Sequence, residues 1–262
     1  RNFVMERLKR TEKNTLTERV LQFGEGNFLR GFVDWMIDKL NKENGGDYGV
    51  TIVQPLTGGL VDKLNAQDGR YSLYLRGLLK GEKVEETRIV DCVTRGINPY
   101  TNTDEFFDCA KNPDLRFIVS NTTEAGIEYK PNQNPDDFNG LTFPGRLTLF
   151  MKKRFDEGLG GFILLPCELI DKNGDNLKEC ILKYSVDWGY GGEFEKWIET
   201  ENHFTNTLVD RIVTGYPRDN AKEMEQSYGY LDDMIDTAEI FHLWVIEGDK
   251  KLAEEIPFHK IG

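Results

Sequence analysis

Two glycines separated by a single residue stand where a predicted strand passes into a predicted helix. The stretch VLQFGEGNFLRGF, residues 20–32, starts as an apolar strand, breaks at Gly24 and Gly26, and resumes with apolar residues at helical spacing. Glycine adopts backbone angles closed to other residues and lets a pyrophosphate approach the main chain. We therefore predict that the phosphates of a dinucleotide bind here, with free N–H groups at the start of the helix facing them. The residues of this predicted cradle are Gly24, Gly26, Asn27, Phe28, Leu29 and Arg30.

The third glycine of a complete G-x-G-x-x-G motif is absent, because Leu29 occupies its position. That glycine normally serves helix–strand packing and not phosphate contact, so its replacement does not remove the cradle. An ordinary strand-to-helix turn is the alternative interpretation. The context favours the cradle, since residues 19–55 predict a strand, a helix and a second strand, about the length of a parallel crossover unit.

The second predicted strand ends at Gln54, where dinucleotide-binding sheets usually carry an acid for the ribose hydroxyls. The usual marker of NAD is therefore missing at this position. An arginine that could pair with a 2′-phosphate is missing as well. The missing arginine favours NAD over NADP as the cofactor.

Small hydroxyl and amide residues follow the next core strand, in the stretch SNTTEAG at residues 120–126. One interpretation is a hydrogen-bonded turn. The other is a functional strand end, at which the backbone passes the nicotinamide ribose. In that case Ser120, Asn121 and Thr122 contact the cofactor, and Glu124 lies near the reaction centre.

Polar residues with two open roles follow the later strands. Asn173, in PCELIDKNGD, is either a helix N-cap or an amide donor to a developing alkoxide. Asp210 and Arg211 lie within an apolar stretch, where charges are unfavourable unless paired, so a structural ion pair and a substrate role are both open. Arg218 follows a Gly-Tyr-Pro turn and could bind a substrate carboxylate through two hydrogen bonds.

Short apolar strands alternate with helices along the chain, which predicts an α/β fold with a doubly wound, mostly parallel Rossmann-type sheet. Residues 71–93 alternate in polarity and contain KGEK as a turn, which predicts an antiparallel hairpin inserted beside that sheet. Thr103 is the expected N-cap of a short helix. Residues 1–18 are expected to form a lead-in segment, and residues 19–262 an NAD-binding domain. The predicted core strands span residues 19–23, 50–55, 116–123 and 161–168, the helices 27–41, 103–113, 144–158, 173–188 and 193–202, and the late strands 207–215 and 241–248.

The acidic composition limits the classes of partner. Thirty-three Lys and Arg against 45 Asp and Glu give a formal charge of −12 over 262 residues. This charge repels nucleic-acid backbones and anionic lipids, so we expect a small-molecule ligand and neither nucleic-acid nor membrane binding. The four cysteines and three histidines are too dispersed for a zinc site, so no metal is expected. Reduced, buried thiols and the lack of a long apolar run indicate a cytoplasmic protein.

Five segments in order, spread over residues 20–248, resemble the mannitol dehydrogenase family of polyol and hexuronate dehydrogenases. FGEGNFLRGF is similar to the family's nucleotide motif G-x-G-x-F-x-R, and NTTEAG, CELIDKNGD, LVDRIV and AEIFHLWVIEG are similar to its later signatures. The variants found here resemble those of a hexuronate-specific branch. The resemblance implies a Rossmann domain followed by a helical domain, and metal-free, NAD-linked interconversion of a sugar-acid alcohol and its ketone.

The resemblance also implies residue roles, with two departures from the family pattern. A lysine in a K-x-x-x-x-N-x-x-H motif of the helical domain is the implied general acid–base, and that motif does not occur in these residues. Leu169 stands where many relatives carry an asparagine, which leaves Asn173 as the expected donor to the alkoxide. Asp210 would bind substrate hydroxyls or orient the lysine, and Arg218 would bind the carboxylate. Rival interpretations are a sibling enzyme for fructuronate or mannitol, a non-catalytic nucleotide-binding module, and an unrelated phosphate-binding domain.

Overall fold

The computed structural model describes residues 4–123 and 125–262. The strands are β1 (Glu18–Phe23), β2 (Gly49–Val53), β3 (Tyr71–Leu79), β4 (Glu82–Val90), β5 (Val93–Ile97), β6 (Phe117–Ser120), β7 (Ile163–Pro166), β8 (His203–Phe204), β9 (Thr207–Asp210), β10 (Asp236–Glu239) and β11 (Leu243–Ile246). The helices are α1 (Asn27–Gly31), α2 (Val33–Glu43), α3 (Val61–Ala66), α4 (Thr103–Asp108), α5 (Phe143–Asp156), α6 (Asn173–Asp187), α7 (Gly192–Glu201), α8 (Ala221–Tyr228) and α9 (Lys250–Glu255). Short 3₁₀ turns occur at Cys109–Lys111, Phe138–Gly140 and Phe258–Ile261.

The central sheet contains six strands in the order β5-β2-β1-β6-β7-β8, and every neighbouring pair is parallel. Numbered within this sheet, the order is 3-2-1-4-5-6, which is that of a dinucleotide-binding Rossmann sheet. The predicted doubly wound parallel sheet is therefore confirmed. The strand order reverses between β1 and β6, and ligands of such sheets bind outside the carboxyl ends of the strands at that point.

Both faces of the central sheet are covered by apolar layers. Val20 of β1 belongs to a buried cluster with residues of α2, whereas its neighbour Leu21 belongs to a second cluster with residues of α5, α6 and α7. Consecutive strand residues point to opposite faces, so a strand buried on both faces must be apolar at every position. This explains why the core strands read as continuous apolar runs and not as alternating ones.

The predicted antiparallel hairpin is confirmed, with β3 and β4 paired from Tyr71–Val90 to Leu79–Glu82. Its turn residues Lys80 and Gly81 both have positive φ, +53° and +81°, as a tight two-residue turn requires. The hairpin does not extend the central sheet. It forms a separate three-stranded sheet, because β10 pairs in parallel with the other edge of β3.

One long helix was expected after the glycines, and the structure has two. Phe32, with φ −126° and ψ −79°, separates α1 from α2. Distant groups take the carbonyl oxygens that a continuous helix would use, since Tyr71 Oη donates to Arg30 O (2.5 Å) and Arg211 Nη1 donates to Gly31 O (2.7 Å). The break is therefore a tertiary effect.

Several short or late elements differ from the expectation. The stretches at residues 207–215 and 241–248 do contain strands, but β9 and β11 pair with each other in a separate antiparallel sheet. The edge strands β5 and β8 and the strand β10 were not predicted. Thr103 is not the N-cap of α4; Asn102 holds that position, and Thr103 Oγ1 instead donates to Pro99 O (2.7 Å).

The described part of the lead-in, residues 4–17, is attached to the domain. Leu8 is buried, and its N–H donates to Leu231 O (2.8 Å). Arg7 forms an ion pair with Asp233. All four cysteines are free and buried, as expected. Within residues 4–123 and 125–262, none of the helices combines the length and apolar character needed to cross a bilayer.

Candidate cofactor-binding site

Parallel register brings the carboxyl ends of four strands to one edge. Phe23 of β1 lies opposite Val53 of β2 and Ser120 of β6, and Ser120 lies opposite Pro166 of β7. The segments that follow these strands therefore meet at the same edge of the sheet, beside the reversal of strand order. All four strand ends singled out in the sequence, after β1, β2, β6 and β7, form this edge.

The backbone at the end of β1 shows why two glycines are present. Gly24 has a φ of +140°, which L side chains rarely adopt, and a Cβ there would lie 3.1 Å from Leu29 Cδ1. Gly26 has an ordinary φ of −67°, and apart from its chain neighbours no described residue has an atom within 4 Å of where its Cβ would stand. The first helical hydrogen bond runs from Arg30 N to Gly26 O, so the N–H groups of residues 27–29 precede the helical ladder. Gly24 is thus required by the fold, whereas the open space at Gly26 suits an approaching ligand.

The side chains of the predicted cradle turn inward and support it. Leu29 is buried and fills the contact between α1 and the sheet, where the third glycine of the motif would lie. Phe28 packs on Phe32, with ring centroids 5.1 Å apart. The packing of Leu29 and Phe28 therefore leaves the main chain at Gly26 open to a ligand.

The guanidinium of Arg30 supports the glycine loop and is not exposed to a ligand. The side chain is 1% exposed. It donates to Glu25 O (2.8 Å), Met234 O (2.7 Å) and Asn27 Oδ1 (2.8 Å), and it lies over the ring of Tyr71. These bonds connect the glycine loop to the segment before β10. Loss of Arg30 would therefore loosen the loop itself.

Glu168, directly after β7, is a site residue that the sequence reading missed. Its buried carboxylate accepts hydrogen bonds from Ser120 Oγ (3.1 Å), Thr122 N (3.2 Å) and Thr122 Oγ1 (3.1 Å). Burial raises the pKa of this carboxyl above its usual range. The acid fixes the segment after β6 to the end of β7. The sequence pattern that could have indicated Glu168 is an acid directly after a buried strand, in PCEL.

The segment after β6 carries an unusual backbone angle. Thr123 has a φ of +82°, which a β-branched residue adopts only when its surroundings impose it. Asn121 lies beside the glycine loop, since its N–H donates to Phe23 O (3.2 Å) and its carbonyl oxygen is 3.5 Å from where a Cβ on Gly24 would stand. The structure thus brings Ser120, Asn121 and Thr122 next to the cradle. Glu124 lies outside the described residues.

The side chain of Asn173 connects the end of β7 to the start of β9. Its buried Nδ2 donates to Pro166 O (3.0 Å), Glu168 O (3.1 Å) and Thr207 O (3.0 Å). Its Oδ1 accepts from Gly174 N (2.8 Å) and Thr207 N (2.9 Å). In this arrangement both amide hydrogens are used, which leaves none for an alkoxide. The residue before Asn173 occupies the N-cap position of α6. Asn173 is therefore neither the N-cap nor a donor to an alkoxide, as the sequence suggested, but a positioning residue.

Arg211 is committed to the fold as well. It is 5% exposed, and its guanidinium donates to the carbonyl oxygens of Gly31 (2.7 Å), Glu239 (2.9 Å), Ile240 (3.1 Å) and, more weakly, Phe241 (3.3 Å). It lies 4.1 Å from the centre of the Trp35 ring. Burial lowers its pKa to about 10. A substrate role is replaced by a structural one.

The neighbouring charges Asp210 and Arg218 remain at the surface. Asp210 ends β9 opposite Leu243 and is exposed. Within residues 4–123 and 125–262 it forms no ion pair with Arg211, so the structural pair considered for them is not present. The Arg218 side chain is exposed, and no hydrogen bond or ion pair holds it within the described part of the chain. Both remain available to a ligand.

A cleft of about 750 Å³ opens beside Glu168. It lies between the segment after β7 and the β9–β11 sheet. Its walls include Leu169, Asp171, Lys172, Leu208 and Val245. In the described residues no group of three or more His, Cys, Asp or Glu side chains could hold a metal ion.

A pair of buried acids lies behind the cradle. Asp34 of α2 is inaccessible to solvent and accepts one hydrogen bond, from Gln22 Nε2 (3.0 Å). Asp236 of β10 is also inaccessible, and its Oδ2 has no partner among the described residues. Burial raises the pKa of each carboxyl to about 7, although the nearby Arg30 opposes the shift. These acids are therefore largely neutral below neutral pH.

Removing the acid at Asp34 is expected to stabilise the protein at alkaline pH. An unfolded aspartate ionises near 3.8, whereas the folded one ionises near 7, so stability falls as the pH rises through this window. Asp34→Asn should raise the free energy of unfolding by about 2–4 kcal/mol at pH 8 and change it little at pH 4. Urea denaturation at both pH values measures this, with the exposed Asp62→Asn as control. An equal effect at pH 4 and pH 8 would contradict the assignment.

Comparison with known proteins places this geometry in a family. Residues 18–260 match the family described as the mannitol dehydrogenase Rossmann domain. Altronate oxidoreductase of Cronobacter sakazakii (strain ATCC BAA-894) is 46% identical over 249 residues, which cover 93% of this chain and 52% of that protein. Altronate oxidoreductase of Shigella flexneri is 47% identical over 248 residues, covering 93% of this chain and 51% of that protein. The chain spans about half the length of the curated relatives it matches.

Solved structures show the same fold at low identity. Pseudomonas fluorescens mannitol 2-dehydrogenase, in a ternary complex with NAD and D-mannitol, superposes with a TM-score of 0.79 at 20% identity, covering 94% of this chain and 52% of that one. D-sorbitol dehydrogenase in substrate-free form gives a TM-score of 0.77 at 22% identity, covering 94% and 55%. The family match over nearly the whole chain and the shared Rossmann fold lead to one conclusion. The chain belongs to the mannitol dehydrogenase family and contains its Rossmann domain.

Proposed function

We propose that this chain is the cofactor-binding part of an NAD-dependent oxidoreductase that interconverts D-tagaturonate and D-altronate. The observation that carries the proposal is the glycine cradle at the strand-order reversal of a Rossmann sheet, with open space at Gly26. The identity of 46–47% to proteins called altronate oxidoreductase supports the choice of substrate. The hexuronate-type motifs of the sequence support it as well.

The residues present fit a dinucleotide. Bound NAD would supply the hydride acceptor, and its reduced form the hydride donor. The main chain from Gly24 to Arg30 would bind the pyrophosphate, because its N–H groups precede the helical ladder and no side chain covers Gly26. The main chain at Ser120, Asn121 and Thr122, held by Glu168, would lie beside the nicotinamide ribose.

The substrate would lie beside the two exposed charges. Arg218 has a guanidinium without a partner among the described residues, which suits a carboxylate, and Asp210 could bind substrate hydroxyls or orient a catalytic lysine. Asn173 and Arg211 would position the strand ends without touching the substrate. Glu124, outside the described residues, stays a proposed neighbour of the reaction centre.

We propose that catalysis also needs the part that the relatives carry beyond the matched half, including the general acid–base lysine. Large apolar side chains are exposed on β9, β11 and the segments beside them, which suits a covered surface and not a solvated one. They are Leu169, Leu208, Ile212, Phe241, Leu243 and Val245. We propose that this face contacts the second half of the enzyme, and that the enzyme is cytoplasmic.

Turnover by the full reading frame tests the substrate. With NADH, we expect D-tagaturonate to be reduced with a higher kcat/KM than D-fructuronate or D-fructose, the ketone of mannitol. A preference for either of the other ketones would assign a sibling activity. If the full-length protein bound NADH but reduced none of these ketones, the result would indicate a non-catalytic nucleotide-binding module.

Arg218→Ala in the full-length enzyme is expected to raise KM for D-tagaturonate by about 10- to 100-fold, the effect of one charge-assisted, two-pronged contact. Steady-state kinetics measure the change, and kcat should fall less than kcat/KM. Lys222→Ala, an exposed cation on the adjacent helix α8, is the matched control. An unchanged KM for the Arg218 variant would remove the carboxylate role.

A further inference from the structure

Glu25, the residue between the two glycines, holds a carboxylate oxygen without a partner. Its side chain is 9% exposed, and no described residue donates to its Oε2. Burial raises the pKa of this carboxyl, and the backbone N–H groups of Glu25 and Leu60, with the nearby Arg30, only partly offset the effect. Buried polar atoms in folded proteins almost always have a hydrogen-bond partner. An orphan oxygen inside the cradle therefore points to a ligand that supplies the donor.

The carboxylate is directed toward the loop that follows β2. A Cβ on Gly59 would lie 2.5 Å from Glu25 Oε1 and 2.6 Å from Gln54 Cδ, so both side chains contact the same point of that loop. Tyr100, after β5, closes the same region through a hydrogen bond from its hydroxyl to Pro55 O. In Rossmann sheets, the ribose of the adenosine lies beside the end of the second strand.

Gln54, at the usual position of the ribose-binding acid, is not free to replace it. Its Nε2 donates to Leu56 O (2.9 Å) and Thr57 O (3.2 Å), and its Oε1 accepts from Val61 N (3.3 Å). The amide is thus used to shape the loop. Glu25, in contrast, has a carboxylate oxygen that accepts no hydrogen bond from the described residues.

We propose that Glu25 accepts the hydrogen bonds of the adenosine-ribose hydroxyls and that its charge selects NAD against NADP. In this chain the ribose-binding acid would be the middle residue of G-x-G, whereas other dinucleotide-binding sheets carry it after the second strand. Two ribose hydroxyls would supply donors to the orphan oxygen. A 2′-phosphate would instead place two negative groups together in a partly desolvated site. This inference rests on the proposed cofactor binding.

The test compares NADH and NADPH affinity, by nicotinamide fluorescence or calorimetry, in the full chain and three variants. Glu25→Ala removes the acceptor, Glu25→Gln removes only the charge, and Glu193→Gln is an exposed control on α7. Glu25→Ala should weaken NADH binding by about 10- to 100-fold, the size of a charge-assisted hydrogen bond, without weakening NADPH. Glu25→Gln should shift the NADH-to-NADPH affinity ratio in the same direction, and the control should not.

Thermal unfolding identifies variants that fail to fold. If Glu25→Ala does not fold, the NADH and NADPH affinities of Glu25→Gln decide the test, because that variant keeps the size of the side chain. Unchanged NADH affinity in both Glu25 variants would overturn the inference. An equal loss for NADH and NADPH would also overturn it, because that is the result of a merely structural role. If the unaltered chain bound neither cofactor, the proposed function itself would fail, which separates the two claims.

Discussion

Gly26→Ala is expected to weaken NADH binding severely while leaving the fold intact. The backbone at Gly26 has φ −67° and ψ 172°, which alanine adopts without strain, and apart from the chain neighbours no described residue comes within 4 Å of the new methyl group. That methyl would occupy the space through which a pyrophosphate reaches the N–H groups of the loop. We expect a loss of affinity of about 100-fold or more, equivalent to about 3 kcal/mol. Calorimetric titration with NADH measures it.

A matched control separates ligand exclusion from a general glycine effect. Gly192, the first residue of α7, also has open space at its Cβ and an ordinary φ. Gly192→Ala should leave both stability and NADH affinity unchanged. Unaltered NADH affinity of the Gly26→Ala variant would show that the pyrophosphate does not bind at this loop.

Arg211→Met is expected to destabilise the protein strongly. The substitution keeps most of the side-chain volume but removes the donors to the carbonyl oxygens at Gly31 and at residues 239–241. Leaving these buried acceptors unpaired should lower the free energy of unfolding by about 3–5 kcal/mol. At roughly 2–4 °C per kcal/mol for a protein of this size, the melting temperature should fall by about 6–20 °C. Differential scanning calorimetry measures both quantities.

The comparison variant for this prediction is Arg218→Met, in the exposed turn before α8. Surface substitutions without partners change stability by less than about 0.5 kcal/mol, so its melting temperature should match that of the unaltered protein. If Arg211→Met were as stable as Arg218→Met and raised KM for the substrate in the full-length enzyme, Arg211 would regain its substrate role.

The central sheet could be predicted because its strands are buried on both faces. Apolar runs such as FILL between helices leave few alternatives to a parallel sheet. β5 was missed because Arg95 and Gly96 interrupt its apolar pattern, and β8 because it has two residues. The break at Phe32 depends on Tyr71 and Arg211, which are remote in sequence, so no local pattern could indicate it.

The place of the candidate site was predictable, but the roles of its polar side chains were not. The sequence locates polar residues after buried strands, and register then brings those strand ends together. It does not reveal whether a donor is already used by the backbone, as it is for Asn173 and Arg211. Glu25 and Glu168 are the reverse case, because the structure places them in the candidate site although no sequence pattern singled them out. Their burial depends on loops from other strands, so they read as ordinary surface acids.

Titration of the chain with NADH tests the central claim most directly. We predict one binding site per chain, with a dissociation constant within roughly 1 µM to 1 mM, the usual range for enzyme ligands. The same titration of the Gly26→Ala variant should give a dissociation constant at least about 100-fold higher. Absence of saturable binding by the unaltered, folded chain at about 5 mM NADH, above that range, would contradict the account.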